Sequence, residues 1–315
     1  MKSSIRKITR VGKKSYAVVI PKKWLHFLGV YPGSPVYVVM NDDGTITVAP
    51  LKTSASTPAK LGAYATLSTL TADDRSITKV VLALYSAGLS SLIIDGSASW
   101  DLASLPQELA RVERVDGRAL ISFRELKADP REVLENMVRK VREAFRLLSE
   151  NLEKLSPELW NEIHRIESEL DVMAHLVLRL AIRKLIVETL KKGLESETLV
   201  QSVLDVSVAK LLEDLSDCID RSAHRIEEYS TISRDYKSLL TKVSDLSSDV
   251  MMCYLHRCSV DDVLLNLSKA SKLREELKEL MSVSASPLQT LLSEIEVAIT
   301  LVEDLLEATL VLAYG

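Results

Sequence analysis

The stretch G-K-K-S-Y-A-V-V-I-P-K-K-W-L-H-F-L-G, residues 12–29, decides the fold of the N-terminal part of this chain. Its β-branched run at residues 15–20 predicts a strand, which Pro21 ends because proline cannot donate a hydrogen bond to a neighbouring strand. Residues 22–28 predict one or two helical turns, and Gly29 is a typical residue for closing a helix. The stretch therefore predicts a strand that passes through a proline into a short basic helix.

Further short strands are predicted before and after this strand and helix. Residues 5–9 form a basic β-branched run, and residues 36–40 and 46–48 are apolar runs on either side of N-D-D-G. Asn, Asp and Gly adopt hairpin-turn angles readily, so the last two runs predict a hairpin, and Pro32-Gly33 predicts a turn before it. About fifty residues of short strands bury too little apolar surface to fold alone. We therefore expect this segment to dimerise.

The charge of this segment is opposite to that of the rest of the chain. Residues 1–60 contain ten Lys or Arg and two Asp, a net charge of +8, whereas the whole chain carries −4. The remaining 255 residues therefore carry −12. A basic segment on an acidic body most often faces nucleic acid.

These features resemble the AbrB/SpoVT/MazE-type swapped-hairpin DNA-binding domain over residues 3–51. The resemblance rests on the basic first strand, G-K-K-S, V-V-I-P-K-K-W, the turn at 32–33 and the closing hairpin. It implies a homodimeric β-barrel in which strands of two chains interleave and a basic face lies on DNA. The side chains that it implies as DNA contacts are Arg6, Lys7, Arg10, Lys13, Lys14, Lys22 and Lys23. The alternative is a dimerisation segment whose lysines are only solvated, which the two lysines of the short helix fit best.

The remainder of the chain has the composition of a helical bundle. Its 315 residues suffice for two or three domains, and aromatic residues and glycines are scarce. No signal peptide is visible, and the longest apolar stretch, residues 80–94, is too short to span a membrane. Three cysteines do not make a disulfide framework, which agrees with a reducing compartment. We expect a cytoplasmic protein without membrane insertion.

The chain is expected to be multidomain, with a Ser/Thr-rich linker after the head. The predicted parts are a swapped-hairpin β-barrel head at 1–52, the linker at 53–60, a small α/β segment at 61–128, a first three-helix bundle at 129–230 and a second three-helix bundle at 231–315. The α/β segment shows no phosphate-binding glycine motif and no evident catalytic set. Its predicted elements are a helix at 76–87, a strand at 91–96, a helix near 102–111 and a strand at 118–123.

From Asp129 onward the pattern predicts helices only. D-P-R-E at 129–132 reads as a capping box, and S-V-D-D at 259–262 and S-P-L-Q at 286–289 begin later helices. Apolar residues recur at three- and four-residue steps, as on the inner face of a long bundle helix. Six helices in two sets of three indicate an internal duplication and an all-α body of two three-helix bundles.

Two acidic pairs are the best candidates for metal ligands. Glu167 and Asp171 lie four residues apart on one predicted helix, and Glu213 and Asp217 repeat that spacing on the next. Two antiparallel helices can bring four such carboxylates together, which suits hard or borderline metal ions. Acids four residues apart are also common on solvated helix faces, which is the alternative reading.

The body resembles the PhoU family of phosphate uptake regulators over residues 130–313. The resemblance rests on I-H-R-I-E-S-E-L-D at 163–171 and L-E-D-L-S-D-C-I-D at 212–220. It implies restraint of phosphate transport and of phosphate-starvation signalling, and an iron or other divalent metal cluster bound through E-x-x-x-D. Archaeal members of the family pair this body with a swapped-hairpin domain. The second bundle has Thr300 where the family has Asp, so at most one cluster, in the first bundle, is expected.

Other candidate ligands and nucleophiles are less complete. Cys253, His256 and Cys258 are too few for a structural zinc site, so we expect buried thiols and an exposed histidine there. The histidines at 164, 175 and 224 have no evident partner Ser or Cys for nucleophilic catalysis. The first of them lies one turn before Glu167 and is an auxiliary metal ligand at best. We expect a protein that is not an enzyme.

Two function hypotheses follow. The first is a homodimeric DNA-binding regulator of phosphate homeostasis, with the helical body used for sensing or assembly. The second is a regulator that acts by contact with a phosphate transporter subunit or a signalling protein, the head serving only for dimerisation. A metal-storage or hydrolytic bundle is set aside, because the Glu-x-x-His ligand sets of di-iron bundles are missing from the sequence.

Overall fold

The computed structural model describes residues 6–13, 15–28, 31–34, 36–40, 46–50, 64–68, 74–95, 109–115, 118–124, 126, 128–152, 156–192, 196–226, 234–284 and 286–314. The chain divides into two compact units. One comprises residues 1–77 and 89–125, and the other comprises residues 78–88 and 126–315.

The first unit begins with two antiparallel strand pairs and a short helix between them. The elements are β1 (Ile8–Val11) paired with β2 (Ser15–Val18), α1 (Lys22–Leu28), and β3 (Val36–Met40) paired with β4 (Ile46–Pro50). The carbonyl of Pro21 accepts the backbone N–H of Trp24 at 2.8 Å, which starts the helix directly after the proline. The predicted order of strand, strand, short helix and hairpin is confirmed.

The bounds of the first two strands differ from the prediction. Strand β1 begins at Ile8 instead of residue 5, and β2 ends at Val18 instead of residue 20. Gly12 has a φ of 73°, a left-handed conformation that glycine adopts without a steric penalty. The turn that Gly12 begins brings Val11 opposite Ser15. The position of this turn therefore sets the register of the two strands, and the β-branched run does not.

A four-stranded sheet completes the described part of the first unit. Its strands β5 (Tyr64–Ser68), β6 (Ser91–Asp95), β7 (Ala110–Val115) and β8 (Arg118–Phe123) lie in the order β5-β6-β8-β7. Strands β5 and β6 are parallel, and the other pairings are antiparallel. The helix predicted near 102–111 is wrong at residues 110–111, which belong to strand β7. Residues 102–108 of that prediction lie outside the described residues. Polar and apolar residues alternate from Ala110 to Glu113, which is the two-residue period of a strand.

Six long helices form most of the second unit. They are α3 (Pro130–Glu150), α4 (Pro157–Lys192), α5 (Ser196–Ile226), α6 (Arg234–His256), α7 (Val260–Val283) and α8 (Ser286–Tyr314). Helices α3, α4 and α5 contact one another, as do α6, α7 and α8, and α5–α8 and α3–α6 contacts join the two sets. Their buried apolar residues form one continuous core. Within the described ranges, no helix combines the length and apolar character needed to cross a membrane.

Residues 78–88 also belong to the second unit and include most of helix α2 (Asp74–Ser86). The guanidinium of Arg179 on α4 donates to the carbonyl of Tyr85 at 2.5 Å and lies 4.6 Å from the centre of its ring. Arg179 is buried and carries a positive charge, so this carbonyl and ring supply the partners that a buried cation needs. These contacts fasten the end of α2 to the middle of α4.

The cysteines at the end of α6 differ from the prediction. Cys253 and Cys258 form a disulfide with their Cα atoms 4.9 Å apart. Arg257 has a φ of 53°, so the chain turns back and the N–H of Cys258 donates to the carbonyl of Cys253 at 3.1 Å. The prediction of free thiols is therefore wrong for this pair. Cys218 is a buried free thiol, and burial raises its pKa to about 12.

Candidate nucleic-acid interface and candidate metal centre

The basic side chains predicted to contact DNA are exposed where the structure describes them. These are Arg6, Lys7, Arg10, Lys13, Lys22 and Lys23. Lys14 lies outside the described residues. Exposed lysines and arginines on one small domain provide the positive charge that phosphate groups attract.

Arg10 has a structural role in addition to its charge. Its Nε donates to the carbonyl of Gly12 at 3.1 Å and its Nη2 to the carbonyl of Lys13 at 3.4 Å. Two of its five N–H donors therefore hold the β1–β2 turn, and the others stay available. The strand register places Arg10 opposite Tyr16, whose ring is also exposed.

The strands of the head leave large apolar side chains uncovered in the single chain. Exposed examples on β1 to β4 are Ile8, Val11, Tyr16, Val18, Val36, Val38, Ile46 and Val48. In a folded protein a run of exposed β-branched residues on short strands usually marks a surface that a partner covers. The head of one chain therefore carries an interface that it does not bury itself.

The acidic residues of the second unit lie on two packed helices. Glu167 and Asp171 lie on α4, and Glu213 and Asp217 lie on α5. The charge of Asp217 raises the pKa of Glu167, and the charge of Asp171 raises the pKa of Asp217, so the two pairs come close enough to interact. The carboxylates of Glu213, Asp214 and Asp217 each offer an oxygen within 4.8 Å of the other two. Asp214, which follows Glu213 directly in the sequence, is therefore part of this group, and all three of its members lie on α5.

Burial changes the acidity of this group. It raises the pKa of Glu167, Glu213 and Asp217, and the neighbouring carboxylates raise them further. Lys210 opposes that effect at Glu213, with which it forms an ion pair, and its Nζ lies 2.9 Å from Asp214. A cluster of half-buried carboxylates whose charges repel is the arrangement that a divalent cation stabilises.

A histidine and a further acid extend the cluster. Nδ1 of His164 lies 3.4 Å from Oδ2 of Asp220 and 3.6 Å from Oε2 of Glu167. The indole of Trp160 stacks on the His164 ring, with 5.6 Å between ring centroids. Oδ1 of Asp220 is buried and accepts no hydrogen bond from any residue that the structure describes. Sequence reasoning missed Asp220, although it lies three residues after Asp217 on the same helix face.

His175 has a serine partner that the sequence did not reveal. Oγ of Ser86 lies 2.8 Å from Nδ1 of His175, and Oδ1 of Asp171 lies 3.7 Å from Nε2. The sequence indicated no serine or cysteine arranged with this histidine for nucleophilic catalysis, and it could not reveal this contact, because the two residues meet only through the packing of α2 on α4. Ser86 is 2% exposed and its hydroxyl also contacts the carbonyl of His175, so it fastens the two helices together.

In the second set of helices, Arg274 contacts Thr300, the position where the PhoU pattern has Asp. Nη2 of Arg274 donates to Oγ1 of Thr300 at 3.1 Å, and its Nε donates to Glu303 at 3.3 Å. The Thr300 hydroxyl also donates to the carbonyl of Glu296. The side-chain oxygens of Thr300 and Glu303 therefore already have protein partners. The candidate metal ligands are the acids of α4 and α5.

A comparison with known families finds a match at the head. Residues 9–56 match the family model described as "Antidote-toxin recognition MazE, bacterial antitoxin". No curated protein matches the chain. The match supports a MazE/AbrB-type head, and domains of this type suggest DNA-binding or antitoxin-type regulation through a dimer.

Proposed function

We propose that this protein is a homodimeric DNA-binding regulator of phosphate uptake. The observation that carries the proposal is the head, where residues 9–56 match a MazE-type domain and the described basic side chains are exposed. Its uncovered apolar strands provide the surface for a second copy, which would complete the barrel. Basic residues from both copies would then neutralise DNA phosphates and release counterions.

The phosphate assignment rests on the helical body. Its support is the acidic group on α4 and α5, formed by the residues on which the PhoU resemblance is based, and the contacts within each set of three helices. In this proposal the body senses whether phosphate is scarce or assembles with a partner protein. The head then binds DNA and changes the transcription of phosphate-uptake genes accordingly. The body is PhoU-like, with two three-helix bundles, and it works without enzymatic activity.

DNA binding is tested with a charge reversal in the head. We expect the purified protein to bind duplex DNA with an affinity that falls steeply as salt rises, because each neutralised phosphate releases a counterion. The double variant Lys13→Glu/Lys14→Glu should lose at least about tenfold in affinity and show a shallower salt slope. The measurement is fluorescence anisotropy across a salt series.

The matched control reverses two lysines on α7. Lys272 and Lys278 are exposed, so Lys272→Glu/Lys278→Glu changes the net charge equally at a distant element. It should bind DNA like the wild type. Equal binding by both double variants would contradict the DNA-binding proposal.

A second candidate function is regulation by contact with a phosphate transporter subunit or a signalling protein. The hydrogen bonds from Arg10 to its own turn favour it, because they give this arginine a structural role that does not require DNA. This function would be preferred if the protein dimerises and the wild type shows no salt-dependent DNA binding.

We also propose one metal cluster, of iron or another divalent ion, in the first set of helices. Glu167, Asp171, Glu213 and Asp217 would hold it, with Asp214 beside them. Carboxylate oxygens suit such ions, and the cation would offset the repulsion within the group.

The metal proposal is tested by elemental analysis. Asp171→Asn/Asp217→Asn should lose most of the bound metal, whereas Glu275→Gln/Glu279→Gln, which changes two exposed acids of α7, should retain it. After chelation the wild type should unfold at a lower temperature, because a cation that binds only the folded state stabilises it. Metal-free wild type with unchanged stability on adding Fe²⁺ or Mn²⁺ would show that the acidic group is a solvated ion-pair cluster.

A further inference from the structure

A groove with a volume of about 500 Å³ lies between helices α3 and α6 of the second unit. One side is lined by three arginines of α3, Arg139, Arg142 and Arg146. The other side is lined by three hydroxyl-bearing residues of α6, Thr241, Ser244 and Ser248. Both rows follow steps of three and four residues, so each lies along one face of its helix. The groove therefore places a row of cations opposite a row of hydroxyls.

Two of the three guanidinium groups have no counterion among the described residues. Nη1 of Arg146 pairs with Glu150 at 2.7 Å on the same helix. Arg139 and Arg142 are exposed, and neither forms a hydrogen bond or ion pair with any residue in the part of the chain that the structure describes. Their fixed charge and planar donor groups match phosphoryl oxygens, which accept two parallel N–H bonds from one guanidinium.

The facing hydroxyls are also available as donors. Thr241 donates to the carbonyl of Lys237 in its own helix at 2.9 Å. Ser244 and Ser248 are half-buried, and neither has a hydrogen-bond partner among the described residues. A bound oxyanion would therefore receive hydrogen bonds from both sides of the groove.

The length of the arginine row defines the size of the ligand. Arg139 and Arg146 are seven residues apart, which corresponds to about 10 Å along a helix. That distance exceeds the size of a single phosphate group and matches a chain of two or three linked phosphates with their terminal oxygens. Arg146 gives one nitrogen to Glu150 and keeps further N–H donors for the end of a ligand.

Two carboxylates in the groove lower its affinity for a ligand that carries only negative charge. Glu143 lines it beside the arginines, and Asp245 lines it beside the hydroxyls. Both would repel a bare polyanion. Mg²⁺ commonly binds one or two carboxylates together with phosphate oxygens and keeps several waters. A phosphate chain that carries Mg²⁺ would therefore satisfy the carboxylates and the guanidinium groups together.

We propose that the α3–α6 groove binds the magnesium complex of a short linear polyphosphate, either inorganic or as the phosphate chain of a nucleoside triphosphate. Arg139 and Arg142 donate to the phosphoryl oxygens, Ser244 and Ser248 donate from the opposite side, and Asp245 accepts from water bound to Mg²⁺. This site shares no residue with the DNA-binding head or with the acidic group on α4 and α5, and it does not depend on either.

The test is isothermal titration of the full chain with magnesium tripolyphosphate and, separately, with magnesium ATP. Arg139→Gln/Arg142→Gln should bind both probes at least about tenfold more weakly, because each lost charge-assisted bond has a large effect. The control Lys272→Gln/Lys278→Gln removes two exposed charges from α7 and should bind like the wild type. This comparison is needed because the basic head also attracts polyanions.

A second variant separates recognition from net charge. Ser244→Ala/Ser248→Ala leaves the charge unchanged and should weaken binding about fivefold through the lost hydrogen bonds. Circular dichroism melts establish that each variant is folded. Equal affinities for the two probes would assign recognition to the phosphate chain alone, and tighter binding of ATP would add its nucleoside to the ligand. Absence of binding by the wild type, or equal binding by the arginine variant and the lysine control, would overturn the proposal.

Discussion

At the scale of single residues, the acids of α4 and α5 are the groups whose chemistry is most altered by the fold. Burial raises the pKa of Glu167, Glu213 and Asp217, so ionising them costs more in the folded chain than in water. Lys210 compensates part of this cost at Glu213, while Oδ1 of Asp220 has no hydrogen-bond partner within the described ranges. These residues therefore form a site that is partly neutralised by the protein and suited to a cation.

The start of α7 shows the opposite effect on a carboxyl group. Hydrogen bonds from the hydroxyl and the backbone N–H of Ser259 lower the pKa of Asp262, and the Asp262 N–H donates to the Ser259 hydroxyl in return. Because its pKa is lower in the folded than in the unfolded chain, Asp262 stabilises the fold above its unfolded pKa of about 3.8. That contribution is lost as the pH falls through the folded pKa.

Asp262→Asn should therefore be less stable than the wild type near neutral pH. The difference in the free energy of unfolding should shrink as the pH falls below about 4, where both chains carry a neutral group. Urea unfolding at several pH values measures it. Asp261→Asn, at a position without a hydrogen bond to Ser259, is the control, and a pH-independent difference for Asp262→Asn would contradict the capping-box account.

At the scale of elements, we expect the strands of the head to determine the oligomeric state. Val38 on β3 and Ile46 on β4 are each more than 60% exposed in the single chain. Burial of such side chains contributes about 1.5–3 kcal/mol each, which is enough to make association favourable when several are covered together. The head is therefore expected to complete its core with a second copy.

The dimer is tested by sedimentation of a variant with charged strands. Val38→Glu/Ile46→Glu should be a monomer near the chain mass of 35.0 kDa, whereas the wild type should sediment at twice that mass. Val283→Glu, at an exposed position at the end of α7, is the control and should stay dimeric. A monomeric wild type, or a dimeric strand variant, would rule out dimerisation through these strands.

Helix positions could be predicted well because local signals mark their ends. Asp129, Ser259 and Ser286 stand at the starts of α3, α7 and α8, and the apolar periodicity extends through each helix. Strand β7 was missed because its alternation is short and interrupted by charge. Element type therefore followed from the sequence wherever a cap and a long period occurred together.

Contacts between distant elements could be predicted only in part. The four-residue spacing of acids on α4 and α5 predicted two facing pairs, but Asp214 joins Glu213 and Asp217 on α5 itself. Asp220 reaches Glu167 of α4 only through the packing of the two helices. The pairing of Ser86 with His175 spans 89 residues, and no local pattern indicates it. The disulfide depends on the left-handed Arg257, a conformation that a non-glycine residue rarely signals in sequence.

At the scale of the whole molecule, the separation of charge links the two proposed roles. Residues 1–60 carry a net charge of +8 and the rest of the chain −12. The acidic body would be repelled by DNA, so binding is confined to the head and leaves the body available to ligands or partners. This separation of a basic head from an acidic body suits a regulator that senses with one part and binds DNA with the other.

The most direct test of the account is to select genomic DNA fragments with the purified protein and sequence those that it retains. We predict enrichment of fragments upstream of phosphate-transport genes in the organism that encodes the protein, and loss of this enrichment in Lys13→Glu/Lys14→Glu. Retention of random fragments, or of fragments unrelated to phosphate uptake, would contradict the proposal of a phosphate-uptake regulator.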